Sequence, residues 1–401
     1  LEQQKMKLPE LLAPAGNLEK LHIAFRYGAD AVYVGINAFG LRKYADNFTY
    51  DELAIGIALA NSLNKQVYVV LNGFAHQEDL IELETVLPIL NSIRPHAFII
   101  SDIGVLQMAK RLAPDVALHA STQASICSVE TCQFWKDAGA KRVILGRETS
   151  LEECKIIKSK LDIELEIFVH GAMCASYSGK CVISNYTSGR DSNRGGCVQS
   201  CRHAYTLFEG QVSTEENVYI MNAKDLQGID LIPEVIDANI ESLKIEGRMK
   251  SNLYVANAVA AYRKAIDDAL CKNQSTESVS NLQNQLKKVS NRTFSHGGLS
   301  HRPGSESIAY WFGGYEKSLD FIGTVKAVTA DKTLIVDTKA KFSPQEPLLW
   351  IKPKLESQFW APEAIYSMTD EPLESTKPNS LIKLKSPGHN IEAYDILARV
   401  L

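Results

Sequence analysis

The 401-residue chain has no apolar run near the roughly 18 residues that a membrane span requires, and its opening stretch, LEQQKMKLPELLAPAG, lacks an apolar signal core. No membrane partner is expected, and the expected location is cytoplasmic. A surplus of either charge is also missing. The 43 Lys and Arg against 47 Asp and Glu give a net charge of −4, which excludes a strongly basic nucleic-acid coat. Hydrolytic signatures are lacking too, with no H-E-x-x-H, no G-x-S-x-G and no G-x4-G-K-[ST] anywhere in the chain. Nor is there the C-x3-C-x2-C run of a radical S-adenosylmethionine enzyme, because Cys201 is followed by Arg202, His203 and Ala204. What remains is ordinary globular composition, 45% hydrophobic and 22% charged, over a length that suits two or three domains.

Cysteine is where the sequence departs from the ordinary. Of eight cysteines, Cys174, Cys181, Cys197 and Cys201 fall within 28 residues, in the spacing C-x6-C-x15-C-x3-C. In a chain of this length without a signal peptide, grouped thiols point to metal rather than to a disulfide framework. Four thiolates suit a structural zinc or an iron–sulfur cluster. Zinc knuckles favour short C-x2–4-C pairs, and only Cys197 and Cys201 come close, whereas the wider gaps suit a cluster with ligands from separate loops. The nearby Ser176, Ser178, Gly179, Gly195 and Gly196 would let backbone approach cluster sulfurs. Iron–sulfur, zinc and unligated thiols all stay open on this reading. The other four, Cys127, Cys132, Cys154 and Cys271, read as small buried residues in helices.

From Leu11 to about Leu270, short β-branched runs alternate with amphipathic stretches, the pattern of parallel strands with helical crossovers. Eight strands are expected: 11–13, 31–35, 67–71, 97–101, 116–119, 142–145, 164–169 and 243–245. They span 235 residues, which fits a TIM-type (β/α)8 barrel. The chain then divides into a barrel over 1–270, a helical linker over 271–319 and a small C-terminal β-barrel-like domain over 320–401. The alternating runs FIGTVKAV, TLIVDTK, PLLWIKP and SLIKLKSP carry the last of these. Its ten basic and ten acidic residues from 321 onward balance, so any RNA contact would come from a local patch.

Such barrels place their active sites at the carboxyl ends of the strands. Polar residues follow the second to the eighth strand there: Arg42 and Asn47, Asn72, Asp102, His119 with Gln123, Arg147 with Glu148, His170, and Glu246 with Arg248. The seventh and eighth strands are separated by an insertion of about 70 residues, 171–241, against the roughly 2–6 of an ordinary βα loop. It contains the whole cysteine cluster, short strands near 205–208 and 218–221, and a helix expected over 226–238. In SLKIEGRMKS, alternation sends Lys244 and Glu246 to the same side of the last strand. A buried Lys–Glu pair with Arg248 beside it would cradle a carboxylate. His119, His170 and Glu246 are candidate proton carriers, and Arg42, Asn47, Gln123, Arg147, Tyr177, Lys244 and Arg248 candidate substrate contacts.

The segments EIFVHGAMCASYSGKCVISN, ELLAPAGNLEKLHIAFRYGADAVYVG, LHASTQASI and LKIEGRMKS closely resemble peptidase family U32 over about residues 10–262. Despite that label, the resemblance implies an oxygen-independent hydroxylase carrying a 4Fe-4S cluster, with Cys174, Cys181, Cys197 and Cys201 as ligands. Members of the family act on ubiquinone precursors in pairs, on ribosomal RNA, or on tRNA. A chain of about 400 residues with a small C-terminal domain is similar to the prephenate-dependent tRNA uridine-34 hydroxylase branch, which forms 5-hydroxyuridine. This implies tRNA and prephenate as partners, with Arg42, Arg147, Lys244 and Arg248 facing the two carboxylates of prephenate. A homo-oligomer or a paralogous partner is compatible with the resemblance. The alternatives are an rRNA or quinone-precursor hydroxylase of the same family and, in another class, a U32-type protease or collagenase.

Overall fold

A computed structural model describes residues 8–37, 47–209, 212–213, 218–271, 273–311, 313–388 and 391–401. The β-branched runs form parallel strands β1 (Glu10–Pro14), β2 (Ala31–Val34), β3 (Gln66–Leu71), β4 (Ala97–Ile100), β5 (Ala117–Ala120), β6 (Arg142–Ile144) and β7 (Glu164–Gly171). Each pairs with the next. The strand Ser242–Ile245 then pairs in parallel with both β7 and β1 and closes an eight-stranded TIM-type barrel. AVYV of β2 and AFII of β4 are buried at every position, which is why they read as continuous apolar runs. The crossover helices start on local signals. Thr49 and Glu52 form a capping box before Tyr50–Ser62, and Ser150 and Glu153 form another before Leu151–Lys160. Asp102, one of the residues expected near the mouth, caps Ile103–Leu112 by accepting from the Val105 N–H at 2.9 Å.

The interior of this barrel is charged, where such barrels are usually filled by branched apolar side chains. Lys244 Nζ lies 2.8 Å from Glu166 Oε1, and Arg142 Nη1 lies 3.3 Å from Glu166 Oε2 and 2.6 Å from Glu10 Oε1. The hydroxyls of Tyr68 and Ser242 also donate to Glu10, at 2.6 and 2.9 Å. Four charged side chains from β1, β6, β7 and the closing strand thus compensate one another out of water.

The insertion between β7 and the closing strand differs in part from the sequence expectation. The bridge Tyr205 to Val218 and the hairpin Phe208–Glu209 with Val212–Ser213 fall near the expected strands. The helix expected over 226–238 is shorter, because Asp225–Gln227 is a strand. It runs antiparallel to the end of β7, with Leu226 opposite Gly171, and parallel to Phe294–Ser295. The helix proper is Ile232–Asp237, with proline in its first turn. Two of the four scattered cysteines also depart from expectation. Cys132 and Cys154 are buried in helices, whereas Cys127 is half-buried ahead of a helix and Cys271 is exposed at the end of one.

The chain divides into two compact units. One holds the barrel strands, the insertion and Asn291–Tyr315. The other gathers Glu19–Ala29, Met249–Ser290 and Glu316–Leu401. In this second unit an eight-stranded antiparallel sheet runs in the order Ser357–Trp360, Leu348–Ile351, Ile396–Val400, Leu319–Val328, Thr333–Thr338, Ser380–Lys385, Ile365–Tyr366, Pro372–Leu373. Its core includes Val325, Val336, Phe342, Trp350, Ile382 and Leu397. The Asp395 carboxylate is fully buried; it accepts from the Trp350 indole at 3.0 Å and from Arg26 Nε at 2.9 Å. Tyr27 adds a bond to the Ile351 carbonyl at 2.7 Å. A helix near the start of the chain, Leu18–Arg26, is in this way joined to the C-terminal sheet.

Candidate active site

At the carboxyl ends of the barrel strands lies a cavity of about 200 Å³ in which barrel and insertion meet. Tyr33, Asn72, Gln123, Arg147, Phe168, Lys244, Glu246 and Arg248 line it from the barrel, and Cys174, Cys181, Cys197 and Cys201 from the insertion. The cysteine cluster, compact in sequence, is therefore brought to the mouth by the loop that carries it. Burial pushes the Cys201 thiol up; Arg202 opposes this, and Cys174, Cys197 and Cys181 all lie near enough to add to it. The four thiols line the cavity, and among the described residues no three His, Cys, Asp or Glu side chains form a group that could hold a single metal ion.

Cations enter the cavity from the segment after β6 and from the closing strand and the segment after it. Arg147 lies over the Phe168 ring at 3.9 Å, with Nη2 3.8 Å from Glu246 and Nε buried without a hydrogen-bond partner. Tyr33 donates to Glu246 at 3.2 Å. Lys244 and Glu246 do share one side, as alternation requires, but Glu246 faces Arg147. Lys244 is paired with Glu166, 78 residues away, and sits over the Tyr33 ring at 4.5 Å. Arg248 is buried and donates to Asn47 Oδ1 at 2.7 Å. Gly35 makes room for that bond, since a β-carbon there would lie 2.2 Å from Arg248 Nη2 and 2.5 Å from Asn47 Oδ1. Gly35→Ala is accordingly expected to lower the unfolding free energy by about 1–3 kcal/mol in urea titration. An unchanged midpoint would mean that Arg248 gives way at no cost.

The three proton-carrier candidates part company. Glu246 lines the cavity and the two histidines do not. His170 is buried beside Phe294, with ring centroids 5.6 Å apart. His119 points into the barrel against the Tyr68 ring, at the level of Arg142 and towards the amino ends of the strands. Burial, reinforced by Arg142, pushes its pKa down to about 3. It is neutral in the fold while its unfolded counterpart titrates near 6.5. Its contribution to stability is then complete above pH 6.5 and lost as pH falls toward 3, at up to about 1.4 kcal/mol per unit. Denaturation curves from pH 7 to 5 should show that slope, and His119→Gln should flatten it. Equal slopes in the two proteins would contradict the assignment.

Among the substrate-contact candidates, Gln123, Arg147, Tyr177, Lys244 and Arg248 line the cavity, Tyr177 with 72% of its surface exposed at the rim. Asn47 is one step behind, through Arg248, and Arg42 lies outside the described residues. The small residues near the cysteines act differently from expectation. The Ser178 hydroxyl donates to Glu148 at 2.9 Å and accepts from the Arg147 N–H at 3.1 Å. Gly179, at φ +72°, lets the insertion close on the Gln123 carbonyl, which a β-carbon would meet at 2.0 Å. Ser178 and Gly179 seat the insertion on the barrel. Arg292 and Arg202, which also line the cavity, escape sequence reasoning. Arg292 is buried, donates to Gln199 Oε1 at 3.1 Å, and comes from a segment that reads as linker. Its distance from any motif leaves no signal by which to find it.

A parallel barrel with a cysteine-bearing insertion over its carboxyl-end cavity defines a TIM-barrel protein equipped to hold an anionic ligand beside four thiols. The chain belongs to peptidase family U32: the model of that family matches residues 16–309, and the family's C-terminal domain matches 317–398. The tRNA hydroxylation protein P1 of Bacillus subtilis is 39% identical over 94% of this chain and 92% of its own length. The tRNA hydroxylation protein P of Escherichia coli is 32% identical over 96% and 93%. The 23S rRNA 5-hydroxycytidine C2501 synthase of Escherichia coli is 38% identical, over 64% of this chain but 39% of that protein. Among the described residues no helix is long and apolar enough to cross a membrane.

Proposed function

We propose that this chain is a cytoplasmic tRNA hydroxylase that forms 5-hydroxyuridine at wobble position 34, taking its oxygen from prephenate. The observation that carries the proposal is the single cavity shared by four thiols and a cluster of cations. Near full-length similarity to proteins named for tRNA hydroxylation supports tRNA over rRNA, since the rRNA synthase matches over less than half of its length. Cys174, Cys181, Cys197 and Cys201 fit a 4Fe-4S cluster by donor chemistry, as four thiols that line one cavity. When bound, such a cluster supplies redox or Lewis-acid chemistry at the barrel mouth. A dicarboxylate donor suits Arg147 and Arg248, with Lys244 held by Glu166 as a further positive charge. Glu246, between Tyr33 and Arg147, is the group placed to take or return a proton within the cavity.

Mass spectrometry of tRNA nucleosides tests the reading directly. Deleting the gene, in a host without a paralogue, is expected to remove 5-hydroxyuridine and its derivatives, and restoring the wild-type gene to return them. Retention of those nucleosides would reject tRNA as substrate.

A further inference from the structure

The cavity has a second side that the cations do not reach. From β3, β4 and the segment after β5 it is lined by Val70, Asn72, Ile99, Ser121, Thr122 and Gln123, none of them charged. Two polar groups on this side are unpaired. Asn72 donates from Nδ2 to Ser121 Oγ at 3.1 Å, and Ser121 Oγ also accepts the Gln123 N–H at 3.2 Å. The Asn72 amide is thereby held by its nitrogen, and Oδ1 has no hydrogen-bond partner. The Thr122 hydroxyl has none either. Both side chains are deeply buried, Asn72 with 9% and Thr122 with 6% of their surface exposed. Buried polar groups are nearly always satisfied, so a free acceptor and a free hydroxyl on one cavity wall call for a ligand that supplies their partners.

We propose that this wall reads a uracil base, with Asn72 Oδ1 accepting the N3–H and the Thr122 hydroxyl donating to a flanking carbonyl oxygen. Val70 and Ile99 give the ring an apolar seat. The cations across the cavity then remain for the anionic co-substrate. With the amide donating to Ser121 as it does here, a cytosine in the same pose would set its N3 lone pair against Asn72 Oδ1. The two walls divide recognition between a neutral base and an anion. This inference rests on the RNA-hydroxylase reading for its substrate class and adds to it the residues that select the base.

The test uses the full-length protein loaded with its cluster and two anticodon stem-loop RNAs that differ only in U or C at the target position. Affinity is read by fluorescence anisotropy and hydroxylation by mass spectrometry. Wild type is expected to favour the U RNA by about tenfold or more in binding, as a site built around buried hydrogen bonds does. Thr122→Val and Asn72→Leu are expected to reduce that preference to about twofold or less, and Thr122→Ser, which keeps the hydroxyl, to preserve it. Melting temperature and iron content identify a variant that has failed to fold, and Thr122→Val and Thr122→Ser then decide between themselves. No preference in wild type, or a preference that survives Thr122→Val, overturns the inference. A U preference in binding together with an unchanged nucleoside profile on gene deletion would overturn the hydroxylase reading and leave this one standing.

Discussion

Cys181→Ala is expected to strip the protein of the proposed cluster and to reduce tRNA hydroxylation by more than about a hundredfold. Protein purified without oxygen should carry about four irons and four sulfides per chain, with a broad visible absorption band, and the variant neither. Cys181 lines the cavity with the other three thiols, and the Asn193 side chain fixes its carbonyl at 2.9 Å. Removing one of the four proposed ligands would exceed the loss of a supporting contact, which by itself costs about 10–100-fold at metal sites. Cys271→Ala is the matched control, because that thiol is exposed at a helix end in the other compact unit. Stoichiometric zinc, or no iron after reconstitution, would undo the cluster assignment and with it the proposed chemistry.

Glu166→Ala should be the most destabilising single change in the barrel, at about 3–5 kcal/mol. The carboxylate is fully buried and answers both Lys244 and Arg142, so its loss strips buried Lys244 of its carboxylate and leaves Arg142 to Glu10 and Glu164 alone. Against a total stability of about 5–15 kcal/mol this brings the barrel close to unfolding at ordinary temperature. Pairing it with Lys244→Met is expected to recover part of the loss, as removing both members of a buried pair costs less than removing one. Burial acts to raise the Glu166 pKa, but Lys244 and then Arg142 outweigh it and hold the group below the usual carboxylate range. The stabilisation is therefore present at neutral pH and disappears on acidification below the ordinary glutamate value, a loss that Glu166→Gln should not show. Urea titrations at two pH values measure both effects; a shift under about 1 kcal/mol for Glu166→Ala would mean that the charges inside the barrel do not support it.

The strands were legible because their constraint is local. Burial on both faces forces apolar β-branched runs such as AVYV and QVYVVL, and a reader needs no partner to see them. Cysteine spacing was legible for the same reason, since one loop carries all four thiols. The pairing of Lys244 was not. Alternation states which way a side chain points but not which strand it faces, and Glu166 stands on a neighbouring strand 78 positions earlier. His119 reads as a mouth residue from its place near the end of β5, yet its ring belongs to the layer of Tyr68 and Arg142. Arg292 and the Asn72–Ser121 pair become visible only when distant segments are brought to one cavity. Leu226 and Gln227 read as helix because a three-residue strand, Asp225–Gln227, has no periodicity of its own, and pairing with β7 decides it.

The joint between Arg26 and Asp395 bears on how the protein is made. The two residues are 369 positions apart, so at about 5–20 residues per second the ribosome delivers the carboxylate roughly 20–70 seconds after the guanidinium. Throughout that interval the helix Leu18–Arg26 has been synthesised without its buried counter-ion or the Trp350 indole that helps to hold it. The nascent chain thus carries this helix unfinished until Asp395 has been made, and it is during that wait that a chaperone would find something to bind.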